Sequence, residues 1–119
     1  MAFKFEELRI WHSALDMSNA VHELTLTFPK DELFILTSQT KRAADSIALN
    51  IAEGSTGQSN KEFSRFLGIA LRSAIEVVAC LHIANRRGYI DEKRLAEFKE
   101  ALENLTISIQ SLRKKLNEE

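Results

Sequence analysis

The sequence predicts an all-α protein, an antiparallel up-down-up-down four-helix bundle that takes residues 1–119 as one domain. Three observations predict it. The chain holds one proline and four glycines, too few breaks for the many turns of a sheet protein. Those breaks fall at Phe28-Pro29-Lys30-Asp31, at Gly54-Ser55-Thr56-Gly57-Gln58-Ser59-Asn60 and at Gly88-Tyr89-Ile90-Asp91, leaving four long segments. Within each segment apolar residues return every three or four positions, the period of a helix with one buried face.

In the first segment Ile10, Ala14, Met17, Val21, Leu24 and Phe28 form the stripe, widened by Trp11 and Leu15. The second runs from about Leu33 to Glu53, with Leu36, Thr40, Ala43, Ile47 and Ile51 on one face. Gly54 is placed to end it as a left-handed cap, and alanines 43, 44, 48 and 52 allow close approach of another helix. The third opens with Ser59-Asn60-Lys61-Glu62, a capping box in which hydroxyl and carboxylate satisfy backbone donors reciprocally. It continues to about Arg87 along Phe63, Leu67, Ala70, Ala74, Val77, Leu81 and Ala84, and stops at Gly88. The fourth takes Asp91 as N-cap and carries Leu95, Phe98, Leu102, Leu105, Ile109, Leu112 and Leu116 as a heptad seam. Short connections between long helices make consecutive helices antiparallel.

Composition narrows the function classes. Sixteen Lys and Arg against seventeen Asp and Glu give a net charge of -1, which argues against a duplex-DNA binder held by bulk positive charge and leaves only a local patch for nucleic acid. The lone Cys80 sits in an apolar run and reads as a small buried hydrophobe. The N-terminus lacks a basic stretch followed by an apolar one. No uninterrupted apolar run reaches the roughly 18 residues of a membrane span. The expectation is a cytoplasmic protein with no membrane partner.

The third helix carries more apolar surface than one core face requires. Phe66, Ile69, Ser73, Cys80 and Ile83 lie on a neighbouring face, and Ala44, Ala48 and Ala52 give the second helix a second small and apolar side. Either a wide core absorbs these faces, or copies of the chain cover them in a homo-oligomer built on helices two and three.

Candidate sites are few. His12, His22 and His82 lie on different segments without the spacing that pairs metal ligands on a helix. There is no nucleophile elbow and no phosphate-binding glycine loop after a strand. The carboxylates lie nearly all beside Lys or Arg on solvent-facing positions. No enzyme, cofactor or metal is expected. Gln39, Arg42, Ser46, Asn50 and Glu53 step by three or four along the second helix and form a polar stripe beside the core. That stripe either knits the helix to a neighbour or meets a ligand through Arg42 and Asn50. On the third helix Arg65, Arg72 and Arg86 fall on a seven-residue spacing and Lys61 extends the line, while Glu76 interrupts it; the line is either a set of phosphate contacts or a merely solvated helix face. Arg113-Lys114-Lys115 reads as the positive charge favoured at a helix C-terminus.

Several of these residues together resemble one known family. They are Ile10-Trp11 with Ala14, Phe28-Pro29 with Glu32, and Leu36-Thr37-Ser38-Gln39 with Arg42-Ala43 and Ser46-Ile47. Asn50-Ile51-Ala52-Glu53-Gly54, Lys61-Glu62-Phe63, Phe66-Leu67, Ile69-Ala70, Ser73 and Glu76 continue the match. The chain is similar to the four-helix-bundle proteins associated with intervening sequences in bacterial 23S ribosomal RNA genes, over nearly all of its length before helix four. The resemblance implies a homopentamer without established enzymatic activity, and assigns the polar stripe to fold and assembly. Related accessory proteins of diversity-generating retroelements pair with a reverse transcriptase and engage nucleic acid through basic surface. Many relatives carry an arginine in the loop where this chain has Gly57-Gln58, and a glycine where it has Arg72. The expected function is a non-enzymatic homo-oligomeric bundle associated with RNA or a ribonucleoprotein. The alternative is a protein-interaction scaffold that docks a partner through the loop Ser55 to Asn60 or a ring surface.

Overall fold

A computed structural model describes residues 3–57 and 59–119. Four helices carry the fold: α1 (Arg9–Thr25), α2 (Ser38–Ser55), α3 (Asn60–Arg86) and α4 (Glu92–Glu118), with no strand among the described residues. The bundle is elongated, 46 × 25 × 20 Å, because 27-residue helices such as α3 and α4 are about 40 Å long.

Side-chain pairings fix the directions. From α2 to α3 they step from Gln39 with Glu76, through Ser46 with Ser73, to Gly54 against Phe66 and Phe63. One residue number rises as the other falls, so the helices are antiparallel. Between α3 and α4 the side chain of Arg113 reaches Ser64, and Asn60 reaches Glu119, again antiparallel. Lys4, just before α1, lies over the ring of Phe63, which places the start of α1 beside the end of α2.

Helix ends follow local chemistry. The Ser59 hydroxyl accepts from the Glu62 N–H at 3.1 Å, one half of the expected box, while the Glu62 carboxylate lies against Gly57. Asp91 accepts from the Arg94 N–H at 2.8 Å. Gly88 adopts φ +81°, the left-handed conformation glycine reaches without steric cost. The Tyr89 N–H then donates to the Ala84 carbonyl and the Gly88 N–H to the Asn85 carbonyl, the paired bonds of a Schellman ending.

All the stripe residues of α3 named from periodicity are buried, as are Leu95, Phe98, Leu102, Leu105 and Ile109 of α4. Leu112 and Leu116 are only half-buried against the core, so the seam thins towards the end of α4. α1 stops at Thr25, yet Phe28 still enters the core from the connection. Leu15 is exposed and does not widen the stripe.

Two expectations about α2 are overturned. Regular α-helix begins at Ser38, after a 3-10 turn at Lys30–Glu32 and a π-helical turn at Leu33–Thr37. The wide turn sends Leu36 and Thr37 inward and leaves Leu33, Phe34 and Ile35 outside. Gly54 is not a left-handed cap: it is buried inside α2, whose helix runs on to Ser55, and its φ is not positive. It is glycine because a Cβ there would stand 2.6 Å from Phe66 Cβ and 3.0 Å from a Phe63 ring carbon.

One helix among the described residues, α3, is long and apolar enough to cross a membrane by length and composition. Counting only uninterrupted runs passes over it, because Arg72 and Glu76 break the stretch. In the bundle α3 packs broadly against α2 and α4.

Gly54→Ala separates the two roles of that glycine. Replacing glycine by alanine inside a helix ordinarily stabilises by about 1 kcal/mol. Here overpacking against Phe66 reverses the sign, with an expected loss of about 1–3 kcal/mol, seen as a melting temperature lowered by several degrees. An unchanged or raised melting temperature would show that α2 and α3 are not so close.

Candidate nucleic-acid interface

Lys61, Arg65, Arg72 and Arg86 all project from α3 into solvent. The ion pairs among the described residues are Arg87 with Glu32 and Arg94 with Glu97, so none of the four is neutralised by a neighbour. From Lys61 to Arg86 the line spans about 37 Å of helix axis. Unpaired cations at fixed spacing suit phosphate oxygens, which give affinity without sequence readout. The Arg65 guanidinium lies 4.6 Å from the centre of the Phe66 ring, a cation–π contact that restrains it. Glu76 does stand in the line, and Gln39 of α2 donates to its carboxylate at 3.4 Å.

Arg113 departs from expectation. It is not a charge left at the end of α4. Its side chain folds across α3, where Nε donates to the Ser64 carbonyl at 3.1 Å and Nη1 to Gln110 Oε1 at 3.1 Å. The guanidinium lies over Gly68, where a Cβ would sit 3.2 Å from Nη2. Lys61, Arg65 and Arg113 thereby line one open groove, with Ser64 and Asn117. Sequence spacing could not join residues so far apart along the chain. The available signal was Gly68, an isolated glycine in a helical run, which marks a close approach.

The polar stripe of α2 divides into two kinds of residue. Ser46 and Ser73 hydroxyls are 2.8 Å apart, and Asn50 Nδ2 donates to the Ser46 carbonyl at 2.8 Å and to its hydroxyl at 2.9 Å. With Gln39 and Glu76, these bonds knit α2 to α3. Arg42 and Glu53 are exposed and outside this network. The carbonyl of Glu53 accepts from the N–H and the hydroxyl of Thr56, which shapes the turn that follows.

Part of the surplus apolar face is absorbed by the bundle itself. Ala44, Ala48, Ser73 and Cys80 are buried, and Ala52 and Phe66 are half-buried. Helical twist carries those positions into the α1–α2 and α2–α3 seams. Burial pushes the Cys80 thiol up from its ordinary value, which makes it a poor nucleophile. Ile69 and Ile83 remain 37% and 43% exposed, joined outside by Leu49 and Ile75.

Glu32 is the exception to the solvated carboxylates. Its Oε2 accepts from the Tyr89 hydroxyl at 2.7 Å and from Arg87 Nη1 at 2.8 Å, with the carboxylate side chain 10% exposed. One acceptor thus ties the α1–α2 connection to the α3–α4 connection. The Tyr89 hydrogen bond, together with the Arg87 charge, holds the Glu32 carboxyl below its ordinary range against the opposing effect of burial. The same hydrogen bond raises the Tyr89 hydroxyl. Gln58 lies outside the described residues, so the loop departure at Gly57-Gln58 is placed only at Gly57.

Four antiparallel helices, an outward basic line on α3 and a polar α2–α3 seam define a four-helix-bundle protein. The family described as 23S rRNA-intervening sequence protein matches residues 6–111, and the chain belongs to that family. Among solved structures it is similar to a protein of unknown function from the S23 ribosomal protein family of Bacteroides thetaiotaomicron. The two share 24% identity at a TM-score of 0.82, over 88% of this chain and 98% of that one. That likeness shows the fold. No curated protein matches the chain.

The clamp on Glu32 sets a pH dependence. A carboxyl lowered in the folded state contributes stability that is fully present above its unfolded value, near 4.5, and lost as pH falls through the lower folded value. Glu32→Gln should flatten the fall in melting temperature between pH values just above and well below that range. An acid limb equally steep in the variant would place the loss elsewhere.

Proposed function

We propose that the protein is a non-enzymatic, homo-oligomeric bundle that binds RNA or a ribonucleoprotein through the outer face of α3. The carrying observation is the line of four exposed cations, Lys61, Arg65, Arg72 and Arg86, none in an ion pair within the described residues. Membership of a family whose description refers to 23S rRNA supports RNA as the polyanion. A chain with net charge -1 gains little from its overall field, so affinity rests on the local line and on its repetition. A ring of copies multiplies a weak patch without any new contact.

Assembly follows from the apolar residues left outside. Ile69 and Ile83 share the outward side of α3 with the cations, and Leu49 lies outside on α2. We place the contact between copies on the α2 flank of that side, over Ile69 and Leu49, with the cations left along its open rim, and the family resemblance makes five the expected number. The assembled protein is expected in the cytoplasm, without cofactor.

A protein-interaction scaffold is the alternative function. Leu33, Phe34 and Ile35 are exposed together on the π-helical turn, Phe34 at 89%. Such a surface suits a protein partner in a scaffold. Association that persists in nuclease-treated lysate, and disappears on Phe34→Ser, favours the scaffold over RNA.

RNA binding should be steeply salt-dependent. Lys61→Ala, Arg65→Ala, Arg72→Ala and Arg86→Ala each remove one phosphate-binding cation, and each should lower the slope of log affinity against log salt by about 0.7–0.9. Absence of RNA retention at low salt would remove the RNA reading. Ile69→Lys with Ile83→Lys should shift light scattering from oligomer to monomer. Wild-type protein that is purely monomeric at micromolar concentration would remove the assembly.

A further inference from the structure

The groove between the start of α3 and the end of α4 differs from the rest of the basic line. Along α3 the cations stand one by one. Here three of them, Lys61, Arg65 and Arg113, surround a single space of about 560 Å³, large enough for a nucleotide-sized group.

Two of the three are held in place before any ligand arrives. Arg113 is fixed by its bonds to Ser64 and Gln110 and by its seat over Gly68. Arg65 is held by the Phe66 ring. Only Lys61 is an unrestrained point charge among the three. Pre-organised guanidinium donors lose less entropy on binding and give the stronger, charge-assisted hydrogen bonds to phosphate oxygens. Glu62 is the carboxylate that lines the groove, and its Oε1 lies at Gly57. Asn117 supplies a neutral amide at the rim.

Charge count selects the ligand. A phosphodiester inside a strand carries one negative charge, which a single cation of the α3 line balances. A phosphomonoester carries about −1.5 to −2 and offers three acceptor oxygens, which matches the charge of +2 left when the Glu62 carboxylate is set against the three lining cations. We infer that this groove is a phosphomonoester site that captures the terminal phosphate of an RNA strand, whose following phosphodiesters run along α3 towards Arg72. This rests on the RNA reading above for the identity of the strand, and on the groove alone for the phosphate.

The experiment compares one short single-stranded RNA carrying a phosphate at one end, at the other end, or at neither, by fluorescence anisotropy with the full chain. A terminal phosphate should tighten binding by about tenfold. Arg113→Gln should abolish that advantage, while Arg86→Gln weakens all three RNAs by the same factor. Both variants should keep the helical circular dichroism of the parent. Equal affinity of the three RNAs for wild type would overturn the terminal-phosphate site and leave the RNA reading intact. If no RNA binds, titration with inorganic phosphate followed by amide NMR decides the groove separately. Shifts confined to the start of α3 and to Arg113, absent in Arg113→Gln, would uphold it. No shifts would overturn it.

Discussion

The rest of the structure depends on the close packing of α2 against α3. At one end Gly54 lets the backbone of α2 approach the Phe63 and Phe66 side chains at a separation no larger residue permits. In the middle Ser46 and Ser73 meet directly, with Asn50 as a third member. Towards the other end Gln39 reaches Glu76. Small residues and satisfied polar groups along one seam let the two helices pack as a unit, because each buried polar atom there has a partner. α3 is then held rigidly enough for its outer face to present charges at fixed intervals.

The two ends of the bundle are finished differently. At one, Glu32 joins Arg87 and Tyr89, so that the π-helical turn and the Schellman ending of α3 share an anchor. At the other, Arg113 lies across Gly68 and Asn60 reaches Glu119, locking the end of α4 to the start of α3. Both devices link segments distant in sequence through one charged side chain with several partners. At the wide turn the Thr37 hydroxyl is buried without a partner, while the Thr40 hydroxyl donates to the Leu36 carbonyl at 2.6 Å.

The architecture was legible because helical periodicity depends on near neighbours. Every α3 core position named from its spacing is buried, and Ser59, Gly88 and Asp91 act at helix ends as their chemistry dictates. What escaped depends on distance in three dimensions. Gly54 looks in sequence like a cap, and only the position of Phe66 shows that it serves close approach. The surplus apolar face was half right: twist takes Ser73 and Cys80 into the core and leaves Ile69 and Ile83 outside. Arg113 looked like an end charge because nothing local announces Ser64 or Gly68 as its neighbours. Leu33 to Ile35 read as an ordinary first turn of helix two, since a π-turn leaves no periodic mark in so short a segment.

On the proposed function, the seam with α2 turns the far side of α3 into the RNA-facing surface. Ultraviolet crosslinking of the assembled protein to RNA, with crosslinked peptides mapped by mass spectrometry, tests it most directly. Adducts are expected between Asn60 and Arg86 and at the Arg113 crossing. Adducts concentrated on α1, or on the outer side of α4 away from that crossing, would contradict it.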